Sequence, residues 1–179
     1  QDAGASPRAT QGCGGMAVRT RRVTAVAGRR LAANLRHMWA GDREGNGAAA
    51  ELALAHGATA CTDITGFGLL GHLLEMLAQE HAARLDLSTL PLLNGAIEQI
   101  RAGTVSTMHA SNVRANEPFL ECTVSVDEAR RQMLFDPQTS GGLLISIPAR
   151  CALRLCEALQ SSGYAAARII GEVVALNPN

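Results

Sequence analysis

The sequence predicts an α+β domain, a mixed β-sheet with helices layered on its faces, and three observations carry that expectation. Helix-like and strand-like patterns alternate through most of the chain, with no internal repeat. The composition is 47% hydrophobic and 18% charged over 179 residues, which fills one good core and is too short for two large ones. Gly57, Gly103, Pro148 and Gly163 fall between the patterned segments rather than inside them.

Taken in order, residues 1–22 combine Gly4, Pro7, Gly12, Gly14 and Gly15 with Arg19, Arg21 and Arg22, and show no apolar period. They read as a flexible tail, and residues 1–45 as a whole stand apart from the patterned domain expected over 46–176. Within that segment 23–26 suits a short edge strand and 29–38 a helix, broken by glycines over 41–47. Asn46 is placed to cap a helix over 48–56, with Gly57 as its stop. Residues 58–62 are small and apolar, a buried strand. Next comes an amphipathic helix with Leu69, Leu70, Leu73, Leu74 and Leu77 on one face and His72, Glu75 and Gln79 off it.

Leu85 to Ser88 alternates like a half-buried strand, 94–102 reads as a helix stopped by Gly103, and the polar stretch 104–117 reads as loop. Residues 119–124 suit a strand. Ser125-Val-Asp-Glu128 is a capping-box signature that opens a helix to about Leu134. A strand over 142–147 ends at Pro148. A helix over 150–160 turns Leu153, Cys156 and Leu159 inward, and 166–174 is the last strand.

Charge and cysteine content exclude several classes. Lys+Arg and Asp+Glu are each 16, a balance that argues against a nucleic-acid binder. Apolar runs are too short to span a bilayer, and no secretory signal opens the chain. It begins at Gln1, as expected of a processed or truncated product. The five cysteines form no C-x-x-C pair and their odd number suits no closed disulfide set, so reduced cysteines in the cytoplasm are expected. Cys13 stands among glycines without an activating neighbour. The scattered His37, His56, His81 and His109 suggest no metal site, and Arg130 and Arg131 read as a solvated helix face. Trp39 suits an interface or a partly buried core position equally.

Two segments have the composition of a ligand site. In 63–72, Asp-Ile-Thr-Gly-Phe-Gly-Leu-Leu-Gly-His, a carboxylate ends a strand and glycines open the next helix, where α/β proteins place ligands. Asp63 is a hard oxygen donor suited to Mg²⁺ beside a phosphate. Alone, the segment is served better by a local account, with Asp63 or Thr65 capping the helix. In 136–144, Asp-Pro-Gln-Thr-Ser-Gly-Gly-Leu-Leu, a loop of hydroxyls and glycines leads into a strand. It can present donors to an anion or a neighbouring domain, or simply be a tight turn.

Together, and in this order, the two segments resemble the carboxy-terminal domain of the selenophosphate synthetase family (selenide, water dikinases). The stretch 90–96, Leu-Pro-Leu-Leu-Asn-Gly-Ala, and 169–173, Ile-Ile-Gly-Glu-Val, are similar to further parts of that family, so the resemblance runs from Ala48 to Val174. The wider superfamily, which includes aminoimidazole ribonucleotide synthetase, usually departs from Phe-Gly-Leu-Leu-Gly-His after the Thr-Gly.

The resemblance implies a layered, partly ferredoxin-like fold. It also implies the conversion of selenide, ATP and water to selenophosphate, AMP and phosphate. By the same resemblance Asp63 is a Mg²⁺ ligand, Thr65, Gly66 and Gly68 shape the metal–phosphate cleft, and no residue here is itself catalytic. The family's selenide-handling Cys or selenocysteine, its Lys and its nucleotide loop belong to an amino-terminal ATP-binding domain that has no match here; the chain contains no Lys at all. Mg²⁺ and ATP are therefore expected in the full-length enzyme and neither on this chain alone. The implied partner is that ATP-binding domain, with dimers in full-length members. Two other readings stand beside this one: a non-catalytic binding or regulatory domain that kept the fold, and an ATP-dependent superfamily enzyme acting on another substrate.

Overall fold

The computed structural model describes residues 16–18, 46–77, 81–122, 124–139 and 141–175. The elements expected over 23–26 and 29–38, together with Cys13 and Trp39, lie outside those residues.

Two sheets organise the described chain. Strands β1 (Met16–Val18), β3 (His81–Leu85), β4 (Leu120–Cys122) and β6 (Gly171–Ala175) form the first, in the order β4-β1-β3-β6. Strands β2 (Ala60–Asp63) and β5 (Leu143–Ser146) form the second. Every described pairing is antiparallel, so the α+β class holds while the single sheet of mixed direction does not. The helices are α1 (Asn46–Ala55), α2 (Gly68–Met76), α3 (Ala96–Arg101), α4 (His109–Asn116), α5 (Glu128–Gln132) and α6 (Ala149–Ser161). Two 3-10 turns, Glu117–Phe119 and Met133–Phe135, follow α4 and α5.

The core divides along β5, which is buried on both faces. Leu143 and Ile145 point into a cluster with Ala49 and Ala53 of α1 and Leu155 and Leu159 of α6. Leu144, one residue out of step, joins Leu70 and Leu73 of α2 and Ala83 and Leu85 of β3 on the other side. The inward stripe of α6 is Ala152, Leu155, Cys156 and Leu159, spaced as one helical face. Leu153, expected inward, lies about 100° around the helix and is 62% exposed.

Three expectations differ further. Met16–Val18, assigned to a flexible tail, is an inner strand between β3 and β4; three residues among glycines and arginines carry too short an alternation to be seen. Residues 104–117 contain α4, whose buried positions are His109 and Asn112, so it has no apolar period. The strand expected at 85–88 sits earlier, at His81–Leu85. Asp86 instead makes a turn in which its Oδ1 accepts from Ser88 N at 2.9 Å and Ser88 Oγ at 2.6 Å. The α1 stop is as expected: Gly57 has φ +86°, Ala58 N donates to Ala53 O and Gly57 N to Leu54 O, which satisfies the last carbonyls.

Candidate functional site

The two glycine-rich segments meet. β2 pairs with β5 so that Asp63 lies opposite Leu143 and Thr62 opposite Leu144. The contact continues past both strands: Ile64 N donates to Gly142 O at 2.9 Å, and Gln138 N donates to Thr65 O at 3.0 Å. Gln138, Gly141 and Gly142 are thus pressed along 64–65. Gly141 makes this possible, because a Cβ there would stand 2.0 Å from Ile64 O.

The turn from β2 into α2 is held from the other side by α4. Asn112, 5% exposed, spends both hydrogens of its amide on backbone oxygens, Gly66 O at 2.9 Å and Phe135 O at 3.0 Å. Gly68 has φ +71°, and a Cβ on it would lie 2.9 Å from Leu134 O and from the Phe135 carbonyl carbon. The space left by its missing side chain is therefore filled by the backbone of Leu134 and Phe135. Gly66 faces the Met108 side chain, whose Cε lies 3.6 Å from where a Cβ would be.

Asp63 ends β2 exposed to solvent, and Asn46 Nδ2 donates to its Oδ1 at 3.0 Å. Asn46, expected to cap a helix starting at 48, is itself the first residue of α1, and its amide reaches a carboxylate across the fold. Ile64 is buried, Asp63 exposed and Thr65 half-buried. Thr65 Oγ1 lies 3.1 Å from His72 Nε2. His72, placed off the apolar face by its sequence position, is in fact 7% exposed. Phe67, at the start of α2, leaves 51% of itself exposed while its ring approaches that of His72 at 5.5 Å.

The titratable groups nearby are not arranged for nucleophilic work. Burial, then the charge of Asp63, pushes the Cys61 thiol up to about 11, so Cys61 is uncharged at neutral pH. Asp136, which opens the second segment, has its carboxyl raised by burial, an effect partly opposed by His109. Arg131 is not a solvated residue but a paired one: Nη1 donates to Glu117 Oε1 at 2.7 Å, and Nε and Nη2 reach the two oxygens of Glu128 at 2.8 Å. Its guanidinium lies 5.9 Å from the Phe135 ring centroid. Arg130 Nη1 donates to Leu87 O at 2.9 Å. Neither arginine is thus placed as a solvated cation waiting for phosphate.

Among the described residues no three His, Cys, Asp or Glu side chains converge as a metal cage. Asp63 still fits one part of such a site. It is an exposed hard-oxygen donor whose Oδ1 is oriented by Asn46, and its other oxygen has the chemistry Mg²⁺ selects. The motif residues Asp63, Thr65, Gly66 and Gly68 follow one another along one turn, with Asp63 exposed, Thr65 and Gly66 half-buried and Gly68 buried. No pattern in the sequence marks Asn46 and Asn112 as the amides that hold this turn. A polar residue on a polar helix and a residue seventeen positions upstream carry no periodic signal.

Residues 43–177 match the family model described as AIR synthase related protein, C-terminal domain. Curated relatives named "Selenide, water dikinase" are similar to the same region. The protein of Clostridioides difficile (strain 630) is 40% identical over 114 residues, 63% of this chain and 33% of its own length. That of Pseudomonas straminea is 37% identical over 129 residues, 72% of this chain and 36% of its own. That of Myxococcus xanthus (strain DK1622) is 42% identical over 120 residues, 66% of this chain and 34% of its own. The chain thus spans about a third of the length of the curated relatives it matches.

Proposed function

We propose, for a chain that belongs to the family of AIR synthase related protein C-terminal domains, that it serves as the carboxy-terminal part of a selenophosphate synthetase. The whole enzyme would convert selenide, ATP and water to selenophosphate, AMP and phosphate, with a separate ATP-binding domain carrying the selenide-handling residues. The observation that supports this reading most is the junction itself. Two segments that resemble the family only as a pair lie side by side, joined by the Ile64–Gly142 and Thr65–Gln138 backbone bonds.

In this reading Asp63 contributes one carboxylate oxygen to a Mg²⁺ whose other ligands come from the ATP-binding domain. The metal, when bound, would offset the charge of the transferring phosphoryl group. What this chain supplies is placement: Asn46 orients Asp63, and Asn112 and Gly68 fix the turn that carries it. The exposed Phe67 and Met108 beside that turn mark the side on which the ATP-binding domain would close. No helix among the described residues is long and apolar enough to cross a membrane, and the described cysteines are unpaired thiols, which supports a cytoplasmic setting.

The test is AMP formation from ATP with selenide present. The chain alone is expected to form none, and an enzyme that contains it together with an ATP-binding domain is expected to turn over. Asp63→Asn in that enzyme should lower kcat on the order of a hundredfold and raise the Mg²⁺ needed for half-maximal rate. Full activity of Asp63→Asn at an unchanged Mg²⁺ requirement would sink the role given to Asp63.

A further inference from the structure

Strand β2 pairs with β5 on one side only, and its other edge is open among the described residues. The register shows which groups face that edge. Ile64 N donates to Gly142 O, and ladder bonds in an antiparallel pair fall at every second residue, so Thr62 and Ala60 also turn toward β5. Cys61 and Asp63 turn their N–H and C=O groups the other way. The Asp63 carbonyl is approached by Thr62 Oγ1 at 3.4 Å. The Cys61 carbonyl and both N–H groups have no partner among the described residues. Ala60, Cys61 and Asp63 are exposed and Thr62 is half-buried, while α1 lies over Leu143 and Ile145 of β5.

Sheet edges are commonly shortened, charged or broken by proline, because an unpaired ladder accepts any strand that reaches it. The outer strands of the four-stranded sheet follow that rule. β4 has three residues and comes just after Pro118, and β6 carries Glu172 in an ion pair with Arg84. β2 differs: Ala60, Cys61 and Thr62 bring no charge, and its one carboxylate stands at the end of the strand. Such an edge is suited to strand addition, in which main-chain hydrogen bonds hold an extended segment.

We propose that the open edge of β2 receives an extended strand of the ATP-binding domain, which lengthens the β2–β5 sheet alongside Asp63. The inference rests on the reading of this chain as the carboxy-terminal part of a selenophosphate synthetase, and it adds the way the two parts join. Three observations favour this occupant. The chain spans 33% of the Clostridioides difficile relative, so most of such an enzyme lies outside it. Residues directly opposite in paired strands have Cβ atoms about 5 Å apart, so a strand seated here sets one of its side chains beside Asp63, within reach of a shared cation. The other ligands of that cation are the ones assigned above to the ATP-binding domain. Beyond the end of β2, the exposed Phe67 and Met108 continue the same approach surface.

The test is amide hydrogen exchange on the 179-residue chain and on an enzyme that joins it to an ATP-binding domain. In the chain alone the Cys61 and Asp63 amides should exchange fast, and that of Thr62, held by β5, slowly. In the joined enzyme both should slow by at least about tenfold, the order of one hydrogen bond. A proline at position 61 removes only an outward N–H, so Cys61→Pro should leave the urea midpoint of the chain alone near that of Cys61→Ala. In the joined enzyme Cys61→Pro should lower AMP formation about tenfold, with Cys61→Ala within about twofold of the parent.

Cys61 and Asp63 amides that stay fast in a joined enzyme that forms AMP overturn the strand addition and leave the proposed function standing. Slowed amides in a joined enzyme that forms no AMP support the strand addition and count against the function. If both amides stay fast and no AMP forms, both ideas fall. Protection already present in the chain alone also overturns the proposal, and protection that grows with concentration assigns the edge to a second copy. If Cys61→Pro does not fold, the exchange of the parent decides.

Discussion

Strand β5 serves two regions that are held together by different forces. On one face, Leu143 and Ile145 meet Ala49, Ala53, Leu155 and Leu159 in a layer built from apolar area alone. Along its leading edge, Gln138, Gly141 and Gly142 meet 64–65 through backbone hydrogen bonds and a glycine contact with no spare volume. The first region is fixed by the sum of many interchangeable contacts. The second is fixed by a few that have no substitute. A layer of the first kind supports a structure, whereas a junction of the second kind sets the position of particular atoms, here the carboxylate of Asp63 and the hydroxyl of Thr65.

The sharpest way to break that contrast is a single methyl group. Gly141→Ala places its Cβ 2.0 Å from Ile64 O, a backbone atom that cannot move without pulling β2 from β5. A loss of about 3 kcal/mol is expected, at the upper end for overpacking, read as a fall in the urea midpoint. An unchanged midpoint would mean that the segments are not pressed together as described.

This contrast also explains what was legible in the sequence. The apolar layer announces itself: α6 appears near its expected position because burial on one face leaves a period, whereas α1 and β5, the latter buried on both faces, are legible as short apolar runs between breakers. Their ends are legible where the backbone demands glycine, as at Gly57. The junction is only half legible. Its two segments stand out by composition, but their meeting is a long-range fact that no local pattern encodes, and resemblance was needed to pair them. Its fasteners are less visible still. Asn112 lies on a helix with no apolar stripe, so the sequence pattern over α4 reads as loop. The cap of α5 shows competition at short range. Ser125 and Glu128 have capping-box spacing, yet Asp127 takes the role, accepting from Arg130 N at 3.0 Å and also pairing with Arg101.

A second methyl, placed in the other region, sharpens the comparison. Gly47 lies in the first turn of α1, and a Cβ there meets nothing within 4 Å. Gly47→Ala should therefore stabilise the chain by about 0.5 kcal/mol, through lower entropy of the unfolded state and better helix propensity. The measurement is the same urea midpoint, now moving upward. The same chemical change thus reverses sign between two regions that share a strand, and a fall in both variants would dissolve the distinction.

The smallest expected effect concerns charge rather than volume. Asp136 opens the loop that packs on β2, and burial holds its carboxyl above the ordinary aspartate range despite the opposing influence of His109. A carboxyl whose folded value is raised binds its proton more tightly when folded. The stability it contributes is complete below the unfolded value, about 3.9, and is lost as pH rises through the folded value. At neutral pH the ionised side chain is therefore a mild liability, reduced further because the residue is only half-buried and solvent screens it. Asp136→Asn removes the charge and nearly keeps the shape. Its Tm should exceed that of the parent at pH 7, and the difference should close as the pH falls to about 3, where the parent is protonated too. A difference that stays constant with pH would assign the effect to hydrogen bonding by the new amide, and Asp136 would then belong with Asn46 and Asn112 among the residues that hold this junction by geometry alone.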